Sequence, residues 1–328
     1  MTSLFDSWQR QINYLRISVT DHCNLNCVYC SAGSVPHLPR NEILSYEEIQ
    51  RVVQVAVSMG INKVRLTGGE PLVRLSLSKL VELLSQIEGI DDIALTTNGI
   101  LLSKYAVELK EAGLKRVNVS LDTLKEDRFK HISGRGKLGE VLSGIEAAHL
   151  AGLQPVKINM VVLQGINDDE TIDFARMSTG EGWNVRFIEF MPFGMPGAEA
   201  IGTVSAQEIR ERIQSLGKLE PDIGKTGNGP AKYYRLPGAK GTIGFISPMT
   251  EHFCQTCNRL RLTSDGQLRP CLLADDEVNL KESLRNGAST DRLKQLIQQA
   301  VVIKRERHYL AGELASETVS RPMCQIGG

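Results

Sequence analysis

An α/β fold is predicted, an incomplete (β/α)6 barrel of the triosephosphate isomerase type followed by a smaller α+β unit, and three observations predict it. Six short β-branched runs occupy residues 15–19, 63–67, 92–96, 116–120, 156–162 and 184–189. Stretches of helical period separate them, and repeated βα units place their strands in parallel. After Met191 this alternation stops and shorter, mixed elements follow. Six units where a closed barrel has eight leave the barrel open, with its chemistry expected at the carboxyl ends of the strands.

The elements can be justified in order. Ser45 and Glu48 form a capping box that starts a helix reaching Met59. A second helix runs over 102–112 and stops at Gly113, a residue suited to a left-handed helix end. Residues 192–197, rich in Pro and Gly, read as a turn or linker, and 224–230 as a loop. The second unit reads as a helix over 205–216, strands at 232–235 and 241–246, and helices near Leu280 and Arg292. The domain division is expected at residues 1–220 and 221–328, with the helix over 205–216 leading into the second domain.

Strand parity assigns the lumen. Successive side chains point to opposite faces, so Leu15, Ile17 and Val19 oppose Arg16 and Ser18, while Val64 and Leu66 oppose Arg65 and Thr67. The same split sets Asn118 and Ser120 against Val117 and Val119, Lys157 and Asn159 against Val156 and Ile158, and Arg186 against Val185 and Phe187. With the apolar faces toward the helices, the lumen holds Arg16, Arg65, Lys157 and Arg186. Buried cations are costly unless met by anions. Either Glu70, Asp122 and Glu189 neutralise them, or a polyanionic ligand such as a nucleoside triphosphate does. Arg259 and Arg261 add two forked donors suited to phosphate or a purine edge.

Composition excludes several classes. The 38 basic and 38 acidic residues cancel, which argues against a general attraction to nucleic acid or to an anionic membrane. Neither a membrane-span pattern nor a signal-peptide pattern is present, and the chain reads as cytoplasmic. Six of its seven cysteines fall in two trios, and in a reducing compartment that grouping points to metal binding. Cys324 is left over as a plain thiol.

Cys23, Cys27 and Cys30 follow the first strand with the spacing Cys-x3-Cys-x2-Cys. Three thiolates can hold an iron–sulfur cluster that normally takes four, leaving one iron open to a small molecule. Zinc sites usually come as paired Cys-x2-Cys units and fit this trio poorly. Cys254, Cys257 and Cys271 form the second trio, for which structural zinc with His252 as fourth ligand is the alternative to a second open cluster.

Together with Gly68, Gly69, Glu70 and Pro71 after the second strand, and with Gly327 and Gly328, these trios resemble the radical S-adenosylmethionine (SAM) superfamily. Within it they resemble the GTP 3′,8-cyclase family, from about Arg16 to the last residue. One departure is the Asn24-Leu25-Asn26 segment, where the family commonly has an aromatic residue and an Arg. The resemblance implies two 4Fe–4S clusters, SAM at the first and substrate at the second. It implies conversion of GTP to (8S)-3′,8-cyclo-7,8-dihydroguanosine 5′-triphosphate, the first step of molybdenum cofactor biosynthesis, through a 5′-deoxyadenosyl radical that abstracts the ribose 3′ hydrogen. By the same resemblance Tyr29, Gly69, Ser120 and Met191 would contact SAM. Arg16, Arg65, Thr96, Lys157, Arg259, Leu260 and Arg261 would contact GTP, and the Gly327-Gly328 tail would enter the active site. No residue is assigned as a general acid or base. The implied partners are a reductant of flavodoxin or ferredoxin type and, by pathway, cyclic pyranopterin monophosphate synthase as the next enzyme; a homodimer is compatible with the family. The alternatives are a peptide-modifying radical SAM maturase and, in another class, a redox sensor or zinc-ribbon regulator.

Overall fold

All six predicted barrel strands form within one residue of their expected ends. In a computed structural model that describes residues 3–30, 37–192, 201–224, 229–308 and 319–327, they are β1 (Tyr14–Ser18), β2 (Lys63–Thr67), β3 (Asp92–Thr97), β4 (Arg116–Ser120), β5 (Lys157–Val162) and β6 (Asn184–Glu189). The intervening helices are α1 (Tyr46–Ser58), α2 (Leu77–Ser85), α3 (Leu102–Glu111), α4 (Glu126–Ser133), α5 (Leu138–Leu150) and α6 (Thr171–Gly180). The capping box is realised: the Ser45 hydroxyl accepts from Glu48 N, and the Glu48 carboxylate accepts from Ser45 N.

The second half supplies α7 (Ala206–Ile213), β7 (Glu220–Pro221), β8 (Lys232–Arg235), β9 (Ile243–Ile246), β10 (Arg259–Leu262), β11 (Gln267–Arg269), β12 (Val278–Asn279), α8 (Lys281–Arg285), α9 (Thr290–Val302) and α10 (Met323–Ile326). Its strands continue the barrel sheet. Among the described residues the order is β12-β11-β10-β1-β2-β3-β4-β5-β6-β9-β8-β7, so β10 pairs in parallel with β1, and β9 in parallel with β6. Antiparallel β11 and β12 extend one side, β8 and β7 the other, and the sheet stays open. Residue 220, the expected end of the first unit, lies within β7. Of the expected turn and loop, residues 193–197 and 225–228 lie outside the described residues.

The core lies between the sheet's outer face and the helices, as parity requires. Leu15, Ile17, Val64, Leu66, Val117, Val119, Ile158 and Phe187 are fully buried there, with Val53, Leu80, Leu84, Leu109 and Val141 from the helices. Each such side chain contributes roughly 1.5–3 kcal/mol by leaving water. This apolar layer anchors the strands so that their polar faces must line the lumen. Among the described residues no helix is long and apolar enough to cross a membrane.

Candidate functional site

The first cysteine trio sits in the loop that leaves β1 at its carboxyl end. Two neighbours pin that loop. Gly69 N donates to Thr20 O at 2.8 Å and Glu70 N to His22 O at 2.8 Å, extending the β1–β2 pairing past the strand ends. A Cβ on Gly69 would lie 2.4 Å from His22 O and 2.7 Å from Asp21 O, so only glycine permits this approach. From the other side, Asn26 N donates to Ser133 O and Val28 N to Ile132 O at the end of α4. The Asn24-Leu25-Asn26 departure is accommodated locally: Asn24 Oδ1 accepts from Asn98 Nδ2 at 2.7 Å, and Leu25 is buried. Cys23 Sγ accepts from Leu25 N at 3.4 Å and Asn98 Nδ2 at 3.9 Å, contacts of the kind that tune cluster sulfurs.

The second trio brackets a hairpin. Cys254 and Cys257 lie in a short turn entering β10, and Cys271 follows β11, which runs back beside it. Cys271 Sγ accepts from Leu273 N at 3.4 Å, and Cys257 Sγ from Arg259 Nη2 at 3.5 Å. Burial alone would raise the Cys257 thiol, but Arg259 and then Lys304 outweigh it and bring it down to about 6, which favours a thiolate ligand.

All six cysteines are free thiols. A tetrahedral zinc with bonds of about 2.3 Å would draw its sulfurs to about 3.8 Å apart. Among the described residues, the one group of possible ligands whose donor atoms all lie within 4.8 Å of one another is Asp21, His22 and His37, so neither trio has that spacing. His252, the fourth zinc ligand considered, is instead 3.2 Å through Nδ1 from His308 Nε2. Three thiolate donors in each trio are the ligand type that holds an iron–sulfur cluster.

Because β1 and β10 run parallel, trios placed after the one and before the other lie at opposite ends of the lumen. With a rise of about 3.3 Å per residue, the length of β1 alone separates them by roughly 13 Å. Between them the register stacks the predicted cations: Arg16 is paired with Arg65 on one side and Arg261 on the other, Tyr14 lies beside Arg259, and Asn159 beside Arg186. Arg65, Lys157, Arg186 and Arg261 are buried.

The carboxylates considered for their neutralisation bind elsewhere. Glu70 accepts from Leu72 N, Asn98 N and Thr97 Oγ1. Asp122 accepts from Tyr29 and from Val161 N. Glu189 shares the parity of Phe187 on the helix side, and accepts from Ala206 N, Met249 N and Thr250. The cations remain mutually repelling: burial, then Arg259, brings Arg261 down to about 10, while burial, then Arg261, holds Arg16 well below its ordinary value. A lumen of this kind selects an anion.

Comparison with known proteins agrees. The description "Molybdenum Cofactor Synthesis C" matches residues 183–310, and "Radical SAM superfamily" residues 17–178. The chain is 50% identical over 326 residues to a GTP 3′,8-cyclase of Thermodesulfovibrio yellowstonii, covering 98% of this chain and 99% of that one. It is 52% identical over 326 residues to a GTP 3′,8-cyclase of Pelotomaculum thermopropionicum, with the same coverage. The chain belongs to the GTP 3′,8-cyclase family. A crystal structure of Streptococcus suis SuiB bound to S-adenosylmethionine shares the fold, with a TM-score of 0.63 at 15% identity over 88% of this chain and 68% of that one. Membership of the radical SAM superfamily carries with it a 4Fe–4S cluster and SAM as cofactors.

The remaining residues expected of a GTP 3′,8-cyclase differ in what they touch. Thr96 Oγ1 accepts from Arg65 Nη1 at 3.4 Å and Asn118 Nδ2 at 3.2 Å. Ser120 ends β4. Tyr29 donates to Asp122 Oδ2 at 2.6 Å, and its ring packs on Leu163 and Phe190. Met191 packs on Leu273, Val319 and Ile326. Leu260 points away from Arg259 and Arg261 into the main core, which leaves its backbone as the part able to meet a ligand. Gly327 O accepts from Arg261 Nη1 at 2.6 Å, and Gly327 rests on Ser18 and Thr67; Gly328 lies outside the described residues.

Two aromatic residues were not selected from the sequence. Tyr14 shares the parity of Arg16, and Arg65 lies over its ring at 5.6 Å, so the alternation in β1 could have found it. Tyr233 comes from β8, beyond the barrel units, where no periodic signal assigns a face to the lumen.

Proposed function

We propose that the chain cyclises GTP between the ribose 3′ carbon and guanine C8. The observation that carries this reading is the pair of open cysteine trios at opposite ends of a lumen lined by Arg16, Arg65, Lys157, Arg186 and Arg261. Cys23, Cys27 and Cys30 would hold the first 4Fe–4S cluster, and Cys254, Cys257 and Cys271 a second. When bound, the first cluster and SAM supply the 5′-deoxyadenosyl radical that removes the ribose 3′ hydrogen.

The chain's own contribution is placement. The two ends of the lumen are far enough apart to keep SAM and guanine at separate sites, with the ribose between them. Gly69 N is engaged by Thr20, so its carbonyl is the group left for the methionine amino group. Tyr29, Ser120 and Met191 complete the SAM side in this reading. Arg259, Arg261 and the backbone of Leu260 face the guanine side, while Arg16, Arg65, Thr96 and Lys157 take the ribose and phosphates. Residues 1–220 form the radical-generating part and 221–328 the substrate-cluster part. Gly327, held by Arg261, would bring the tail to the active site. The reading includes a flavodoxin- or ferredoxin-type reductant, a homodimer, and delivery of product to cyclic pyranopterin monophosphate synthase.

The test is anaerobic incubation of the iron-loaded protein with SAM, reductant and GTP. Formation of 5′-deoxyadenosine together with the cyclised nucleotide is expected. SAM cleavage that leaves GTP untouched would refute the substrate assignment.

A further inference from the structure

Tyr233 reaches the lumen from outside the barrel. In register, Tyr233 of β8 lies beside Gly244 of β9, which lies beside Arg186 of β6. A Cβ at Gly244 would stand 3.0 Å from the Tyr233 ring and 3.0 Å from Arg186 Cγ, so the glycine opens the passage through which the ring crosses toward β6 and β5. There the phenol oxygen accepts from Lys157 Nζ at 3.1 Å, with the ammonium 5.0 Å from the ring centroid. Arg186 is buried, and among the described residues its Nε and Nη2 have no hydrogen-bond partner. Buried guanidinium donors left unmet by protein mark a place for an anion.

In the sheet order β5, β6 and β8 stand on the far side of β1 from β10 and the second cysteine trio. A nucleotide whose base sits at that trio would direct its outer phosphates here. A carboxylate at position 233 would pair permanently with Lys157 and repel phosphate. A phenol can either accept or donate. Resting on the GTP reading above, we propose that Tyr233 is a substrate-positioning residue at the phosphate end. Its hydroxyl accepts from Lys157 before nucleotide binds, then turns to donate to an outer phosphate oxygen, leaving Lys157 and Arg186 to bind phosphate as well. Gly244 is the position that lets it do so.

The experiment compares GTP with GMP, which lacks the outer phosphates, as ligands of the anaerobic iron-loaded enzyme. Tyr233→Phe keeps the ring and removes only the hydroxyl. It is expected to weaken GTP about tenfold, the worth of one hydrogen bond to a charged group, while GMP affinity stays within about twofold. KM for GTP should rise with kcat and iron content retained. Gly244→Ala, which displaces the ring, should give the same GTP-selective loss. GTP affinity in Tyr233→Phe equal to wild type, or an equal weakening of GTP and GMP, would overturn the proposal. Wild type binding GTP no more tightly than GMP would also overturn it, whereas failure of wild type to bind either nucleotide would sink the substrate reading, so the two failures are distinct.

Discussion

A single proton on the Lys157–Tyr233 pair decides how much positive charge meets the nucleotide. Burial and then Arg186 bring Lys157 down to about 8; burial alone would raise Tyr233, but Arg186 and Lys157 draw it down to about 8 as well. Whichever partner releases the proton, the corner loses one unit of positive charge as pH rises through about 8. GTP binding should therefore weaken above that pH, as read from KM for GTP across pH 7–9.5. Arg65, buried beneath Thr96, is expected to matter more plainly: Arg65→Ala should raise KM for GTP roughly 10- to 100-fold, the worth of charged hydrogen bonds, without loss of iron. At this scale the sequence was informative where strand parity applied. Arg16, Arg65, Lys157 and Arg186 could be assigned to the lumen from alternation alone, whereas Tyr233 could not.

The loops after β1, β2 and β3 act as one structure, with Glu70 at its centre. Its buried carboxylate joins Leu72 N to Thr97 Oγ1 and Asn98 N, and Asn98 in turn reaches Asn24 and Cys23. Glu70→Ala would leave these donors buried and unmet, at a cost of roughly 2–4 kcal/mol. A lower urea midpoint and impaired iron retention at the first trio should follow. Cys27→Ala tests the neighbouring element directly: iron per chain should drop by about one four-iron cluster's worth and SAM cleavage should vanish, while the second trio keeps its iron. The motif at residues 68–71 could be read as a tight turn beside a ligand. Its full role could not, because Gly69 is required by the carbonyls of Asp21 and His22, which only the strand pairing brings near.

Over the whole molecule, the second unit grips the barrel by both edges, β10 on β1 and β9 on β6, and returns through α10 to place Gly327 over the strand ends. Gly327 has φ +80°, and a Cβ there would lie 2.4 Å from Thr67 Oγ1 and 3.0 Å from Ser18 Cβ. Gly327→Ala should therefore dislodge the tail: GTP turnover is expected to fall while SAM cleavage and both clusters persist, measured by product analysis and iron content.

The sequence by itself determined the βα order, the cysteine spacings and the faces of β1, β2, β4, β5 and β6, because each depends on a local period or count that survives without the rest of the chain. The tertiary structure alone decided that the auxiliary strands join the barrel sheet at both edges. It also decided that the buried carboxylates serve loops while the cations are left to the lumen, and that Tyr233 crosses Gly244 to reach them. These depend on register between segments far apart in the chain, which no local pattern encodes.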